Sequence, residues 1–261
     1  MIKIEGVSFT YPDGHKAIDN VNIKIGSNET VGIVGANGAG KSTLLKLLTG
    51  IDFPEQGSLE VNGIKVRKDT LREVRKNVGI VFQNPDEQLF MTKVRDDIAF
   101  GPRNYGMGEA ETQRRTEKAL KALEIEHLGE RAPHKLSGGE KRSVAIASVL
   151  SMEPSVLLLD EPSSFLDPKC RRNLIRILQE LELTQIIATH DLDLVLDVCD
   201  RVVVLQRGSV FADGKPIEIL SQGQLMSECG LETPLTLMSC PILENGCCRY
   251  AAEGSGNDER P

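Results

Sequence analysis

Uninterrupted apolar runs of strand length alternate along this chain with stretches whose apolar residues recur every three or four positions. Thr30–Val34 (TVGIV), residues 78–82 (VGIVF), Val156–Asp160 (VLLLD) and residues 185–189 (QIIAT) offer almost nothing to water. Short runs of that kind suit strands buried on both faces of a parallel sheet. Between them, Lys41–Leu48 and residues 109–123, 140–152 and 168–183 carry helical spacing, with Val144, Ala147 and Ser148 or Leu150 on one face of the third. Pro168 opens the last, where its fixed φ and missing N–H are tolerated. The alternation predicts an α/β fold, a parallel sheet covered by helices on both faces. Residues up to about 25 read as antiparallel strands and predict a small β layer beside that sheet. Arg201–Gln206 and residues 209–213 read as a hairpin across Arg207-Gly208. Beyond about residue 221 the pattern fades. The chain therefore divides into a main domain, 1–220, and an appendage, 221–261, whose polar end from residue 253 is expected to be disordered. No internal repeat is visible.

Composition narrows the classes. Of 261 residues, 40% are hydrophobic, enough for a globular core. No run approaches the roughly 20 apolar residues of a membrane-spanning helix, so this chain is not itself a path through a bilayer. It begins Met1-Ile2-Lys3-Ile4-Glu5, strand-like and without the apolar core of a secretory signal, and a cytoplasmic location is expected. A net charge of −7 argues against an extended nucleic-acid groove. Cys170 and Cys199 are expected to be buried free thiols. Cys229, Cys240, Cys247 and Cys248 crowd the C-terminal end. The spacing of Cys240, Cys247 and Cys248 is not that of a zinc site, which favours exposed thiols over a metal sensor.

Three clusters carry candidate chemistry. Gly35-Ala36-Asn37-Gly38-Ala39-Gly40-Lys41-Ser42, followed by Thr43, lies between a strand and a helix. Its glycines let backbone N–H groups converge on phosphate, and the helix N-terminus adds roughly half a positive charge. Lys41 is placed to reach β- and γ-phosphates and Ser42 to hold Mg2+. Asp160-Glu161 closes a buried strand at the edge where α/β sheets bind ligands. Asp160 suits Mg2+, and Glu161 suits activation of the attacking water. Leu136-Ser137-Gly138-Gly139-Glu140 opens a helix with Ser137 as a good cap, forming a second anion-binding helix end.

The first cluster resembles the phosphate loop of the P-loop NTPases, and the third resembles the LSGGQ signature of the ABC ATPases. That resemblance spans about residues 1–220. It implies a P-loop core with a helical signature subdomain at about 84–152, ATP and Mg2+ as cofactors, and ATP hydrolysis coupled to transport. It also implies a dimer, of like or related ATPases, in which Ser137, Gly138 and Gly139 close over the partner's ATP. Tyr11 matches the aromatic that stacks on adenine. Gln83 matches the Q-loop glutamine, near Mg2+ and the γ-phosphate. Residues 164–167 match the D-loop, and His190 the switch histidine. Glu140, Phe165 and Ser143 depart from the usual residues.

A closer likeness lies in Gln83-Asn84-Pro85-Asp86-Glu87-Gln88-Leu89-Phe90 and Val94-Arg95-Asp96-Asp97-Ile98-Ala99-Phe100-Gly101-Pro102. These resemble the energy-coupling-factor ATPases, which drive uptake of cobalt, nickel or vitamins. The resemblance implies a transmembrane coupling subunit, a substrate-binding membrane subunit, and a peripheral place on the cytoplasmic face of the cell membrane. Asp86 and Gln88 are its candidate interface residues, and cobalt is the favoured cargo, with nickel or a vitamin as the alternative. A lower alternative is a soluble ABC ATPase working on nucleic acid or ribosomes, but the long coiled-coil insertion or second ATPase domain of such proteins is missing.

Overall fold

The computed structural model describes residues 1–238. Its strands are β1 (Ile2–Thr10), β2 (Lys16–Ile25), β3 (Thr30–Val34), β4 (Gln56–Val61), β5 (Ile64–Lys65), β6 (Val78–Val81), β7 (Val156–Asp160), β8 (Thr184–Ala188), β9 (Arg201–Gln206) and β10 (Ser209–Gly214). Its helices are α1 (Lys41–Leu48), α2 (Leu71–Asn77), α3 (Val94–Asn104), α4 (Glu109–Ala122), α5 (Gly138–Leu150), α6 (Pro168–Glu180), α7 (Leu192–Val198), α8 (Pro216–Leu220) and α9 (Gly223–Glu228).

Two sheets form. The larger runs β10-β9-β3-β8-β7-β6, parallel except for the β9–β10 hairpin. The smaller is antiparallel, β2-β1-β4-β5. The predicted N-terminal layer is thus present, and it recruits β4 and β5 from beyond residue 25.

The apolar strands are apolar because both faces are covered. In β7, Val156 and Leu158 pack into the core shared with α1 and the antiparallel layer, whereas Leu157 and Leu159 enter the core beneath α3–α6. This is the two-residue period of a strand, with a hydrophobic partner on each side. At the far edge Val34, Val202 and Val204 meet Leu220, Met226 and Cys229, so the stretch after residue 220 continues to bury side chains.

Some boundaries differ from the sequence expectation. Helix α5 starts at Gly138, two residues early, because Ser137 and Glu140 close a reciprocal capping box around its first turn. Helix α6 stops at Glu180, where Leu181 turns extended (φ −80°, ψ 112°). Cys170 and Cys199 are free thiols, but each is only part-buried, whereas Cys229 is buried. Cys240, Cys247, Cys248 and the polar end from residue 253 lie outside the described residues.

Candidate functional site

Strand β3 delivers the chain into the loop 35–40 at the carboxyl edge of the large sheet. The loop's turn depends on left-handed backbone at Gly38 (φ 80°) and Gly40 (φ 104°). At Gly40 the backbone also runs close to β2, and an added Cβ would stand 2.5 Å from the Ala17 carbonyl oxygen. Lys41 is buried, and its Nζ donates to the carbonyl of Gly35 at 2.7 Å and of Ala36 at 3.3 Å. Burial pushes its pKa down, opposed by the carboxylates of Glu161 and Asp160. Glu161 Oε1 is 3.9 Å from the ammonium.

The two carboxylates at the end of β7 have different surroundings. Ser42 Oγ donates to Asp160 Oδ1 at 3.0 Å. Burial pushes the Asp160 carboxyl up, the Ser42 hydrogen bond offsets it, and neighbouring Glu161 adds to it. Glu161 sits at φ 46° and is 7% exposed. Its Oε2 accepts from Thr189 Oγ1 at 3.1 Å and from the His190 N–H at 3.3 Å, and lies 2.8 Å from His190 Nδ1. The carboxylate is therefore aimed by β8, through Thr189 and His190, rather than left to rotate. Thr189 is a positioning group that its motif neighbour His190 could have flagged.

At the other side of the cleft, Tyr11 places its hydroxyl 2.9 Å from Thr43 Oγ1 and its ring edge-on to Phe9, 5.0 Å between centroids. The His15 ring lies parallel to Tyr11 at 6.5 Å. Tyr11, His15, Ala17, the loop 37–43, Gln83, Glu161, Ser164, Phe165 and His190 enclose about 510 Å3. His15 was not anticipated, since an isolated histidine after a turn carries no signal of its own.

The signature residues stand apart from this cleft. Gly138 lines a separate hollow of about 410 Å3 with Gln83 and Phe165, and Gly139 packs on Cys170. Ser137 Oγ accepts from the Glu140 N–H at 3.3 Å, and Glu140 Oε2 accepts from the Ser137 N–H at 2.8 Å. A larger concavity, about 760 Å3 between α5 and α6, touches Gly139 but none of the phosphate-loop residues. Within one chain the phosphate loop and Gly138 of the signature thus line different hollows. Phe165, at φ 63° and 94% exposed, stands between them. Gln88, a candidate interface residue, is half-buried and engages its amide within the chain. Its amide points inward, accepting from the Phe82 N–H at 3.2 Å and donating to Ala145 O at 2.8 Å and Ser148 Oγ at 3.0 Å.

Known proteins resemble this chain in sequence and fold. The ABC transporter family profile matches residues 18–164. A putative ABC transporter ATP-binding protein of Geobacter sulfurreducens is 46% identical over 93% of this chain and 97% of its own length. The energy-coupling factor transporter ATP-binding protein EcfA of Carboxydothermus hydrogenoformans is 46% identical over 90% of this chain and 87% of its own. The chain belongs to the ABC transporter family. Among solved structures, CbiO1 of Clostridium perfringens superposes with a TM-score of 0.78 at 39% identity, over 87% of this chain and 93% of that one. A dimeric ATP-binding cassette in a post-hydrolysis state with ADP and Pi superposes with a TM-score of 0.75 at 29% identity, over 83% of this chain and 99% of that one.

This ABC ATPase uses ATP with Mg2+ as cofactor, and its own residues fit both. Gly38 lines the cleft, and a Cβ on it would meet no heavy atom within 4 Å. Ser42 and Asp160 offer the oxygen donors that Mg2+ prefers. Among the described residues no three His, Cys, Asp or Glu side chains gather into a metal cluster. The Ser42–Asp160 pair would need phosphate oxygens to complete a Mg2+ site, as is usual beside nucleotides. Among the same residues no helix is long and apolar enough to cross a membrane.

Proposed function

We propose that this ABC ATPase powers an importer of the energy-coupling-factor type from the cytoplasmic face of the cell membrane, docked on a transmembrane coupling subunit. A separate membrane subunit selects the cargo, for which a transition-metal ion, cobalt foremost, is the leading candidate, with nickel or a vitamin as the alternative. The importer reading is supported by the likeness at residues 83–102, by a relative named energy-coupling factor transporter ATP-binding protein EcfA and by a structural relative described as part of an ABC transporter complex.

In this reading the loop 35–43 holds the phosphates, Lys41 neutralises their charge, and Tyr11 stacks on adenine. Ser42, Asp160 and Gln83 would hold Mg2+, which would supply positive charge to stabilise the transferring phosphoryl group. Glu161 orients and deprotonates the attacking water, and His190 holds both Glu161 and the γ-phosphate end of the cleft. Ser137, Gly138 and Gly139 close over the site of a partner ATPase, like or related. The different hollows lined by the phosphate loop and by Gly138 within one chain support that closure.

The observation that carries the catalytic reading is the Glu161 carboxylate, buried and held by Thr189 and His190 within 3.9 Å of Lys41. Glu161→Gln keeps the size and the accepting oxygen. ATP binding should stay within about twofold while turnover falls about 10²- to 10⁴-fold, the usual worth of a general base. Unchanged turnover in the variant removes Glu161 from the reaction. Competition among Co2+, Ni2+ and vitamin uptake in vesicles carrying the assembled transporter decides the cargo.

A further inference from the structure

Strand β6 ends at Val81, so the carbonyls of Phe82 and Gln83 leave the ladder and need other partners. One side chain serves both. Arg142, 3% exposed on α5, donates from NH1 to Phe82 O at 2.7 Å and from NH2 to Gln83 O at 2.6 Å. No carboxylate pairs with this guanidinium among the described residues, and its Nε has no partner. Burial pulls its pKa down, against attraction from Asp160. An apolar side chain of the same volume would leave both carbonyls without their donor. It could not hold two successive carbonyls in a planar fork.

Two further clasps run along the same helix. Lys141 pairs with Asp86 at 2.6 Å, and the inward amide of Gln88 bridges the Phe82 N–H to Ala145 O and Ser148 Oγ. Residues 82–88 are therefore strapped to α5 from position 141 to 148. Gln83 lines the phosphate-loop cleft, and Ser137 caps the N-terminus of that same helix.

We propose that Arg142 is a positioning residue that makes Gln83 and the signature helix move as one body. A displacement of Gln83 in the nucleotide cleft is carried to Ser137–Gly139, and a displacement of the signature is carried back to Gln83. This deepens the ATPase reading, on which it rests. The strap ties the cleft-lining Gln83 to the helix that Ser137 caps, and its chemistry is the fork rather than the charge.

Hydrogen exchange on the full-length chain, with and without ATP and Mg2+, tests it. In the wild type, residues 82–88 and 137–142 should gain protection in parallel. In Arg142→Gln, residues 35–43 should still respond to ATP, while the changes at 82–88 and 137–142 lose their correlation. Turnover per folded molecule should fall about tenfold or more with KM within about twofold, as expected for losing hydrogen bonds to a charged donor. Arg142→Lys, which keeps the charge but not the fork, should recover only part. If Arg142→Gln does not fold, Gln88→Leu cuts a second clasp without touching charge and should weaken the parallel response. Parallel protection that persists in these variants, with turnover unchanged, overturns the strap. No response of residues 35–43 in the wild type overturns the ATPase reading itself, and the strap with it.

Discussion

Gly40 and Gly38 both have positive φ in the phosphate loop, yet alanine should cost very different amounts at the two. At Gly38 (φ 80°) an added Cβ meets no heavy atom within 4 Å. Only backbone strain opposes it, about 1–2 kcal/mol for an L-residue in left-handed space. At Gly40 (φ 104°) the same methyl would lie 2.5 Å from the Ala17 carbonyl oxygen and 2.9 Å from Ile18 Cδ1. Ile18 can rotate, but the Ala17 carbonyl belongs to β2 and cannot yield without moving the strand. Overpacking of that kind adds about 1–3 kcal/mol, for a total near 2–5 kcal/mol. At about 2–4 °C per kcal/mol for a chain of this size, Gly40→Ala should melt about 4–20 °C below wild type. Gly38→Ala should melt about 2–8 °C below it. The chain has no Trp, so far-UV circular dichroism of the nucleotide-free protein is the assay. ATP should also stop raising the Tm of Gly40→Ala, because its loop no longer presents its N–H groups. Equal melting of the two variants would refute the argument, since it would mean that β2 gives way freely to the methyl.

Two other perturbations test the scaffold. The Glu111 carboxyl is held at about 2, first by hydrogen bonds from Arg114 and then from Arg115, well below the ordinary 4.5. A depressed folded-state pKa gives stability that is full above pH 4.5 and is lost as pH falls towards 2. Glu111→Gln should therefore lower Tm at pH 7, with the gap narrowing between pH 4.5 and 2 and also in high salt; a gap independent of pH would show that the pair contributes nothing through charge. Met226 is fully buried against Val34, Val202 and Val204, so Met226→Ala should cost about 2–5 kcal/mol in a denaturant titration, and a loss under about 0.5 kcal/mol would mean that α9 is held loosely.

The parts most legible in the sequence were those governed by local rules. Thr30–Val34, Lys41–Leu48 and Val156–Asp160 fall where the apolar runs and the glycine loop put them, because a strand buried on both faces has no polar option and the loop needs its glycines. The likeness to ABC ATPases extended that reading to Gln83, Ser137–Gly139 and His190. Less legible were the features made by tertiary contact. Strands β4 and β5 join the N-terminal layer across an intervening helix, and pairing over such a distance leaves no local trace. The stretch after residue 220 has weak periodicity, yet Met226 is buried because Val34 and Val204 are beside it. Gln88 was a candidate interface residue and Arg142 was not singled out, and neither carries a local sign of its bonds within the chain. The ladder's end at Val81 gives them carbonyls and an N–H to satisfy, which turns both inward. The left-handed backbone at Glu161 and Phe165 belongs to residue types that give no warning of it.

A chain that hydrolyses ATP on behalf of a membrane partner should be found bound to that partner. Affinity capture of the tagged full-length chain from detergent-solubilised native membranes, with the bound proteins identified and the ATPase rate of the captured complex measured, tests it most directly. The account predicts recovery of a multi-span coupling protein together with a small substrate-binding membrane protein, in a complex whose hydrolysis is lost in Glu161→Gln. Recovery of ribosomal or DNA-bound proteins alone, with no membrane protein, would contradict it.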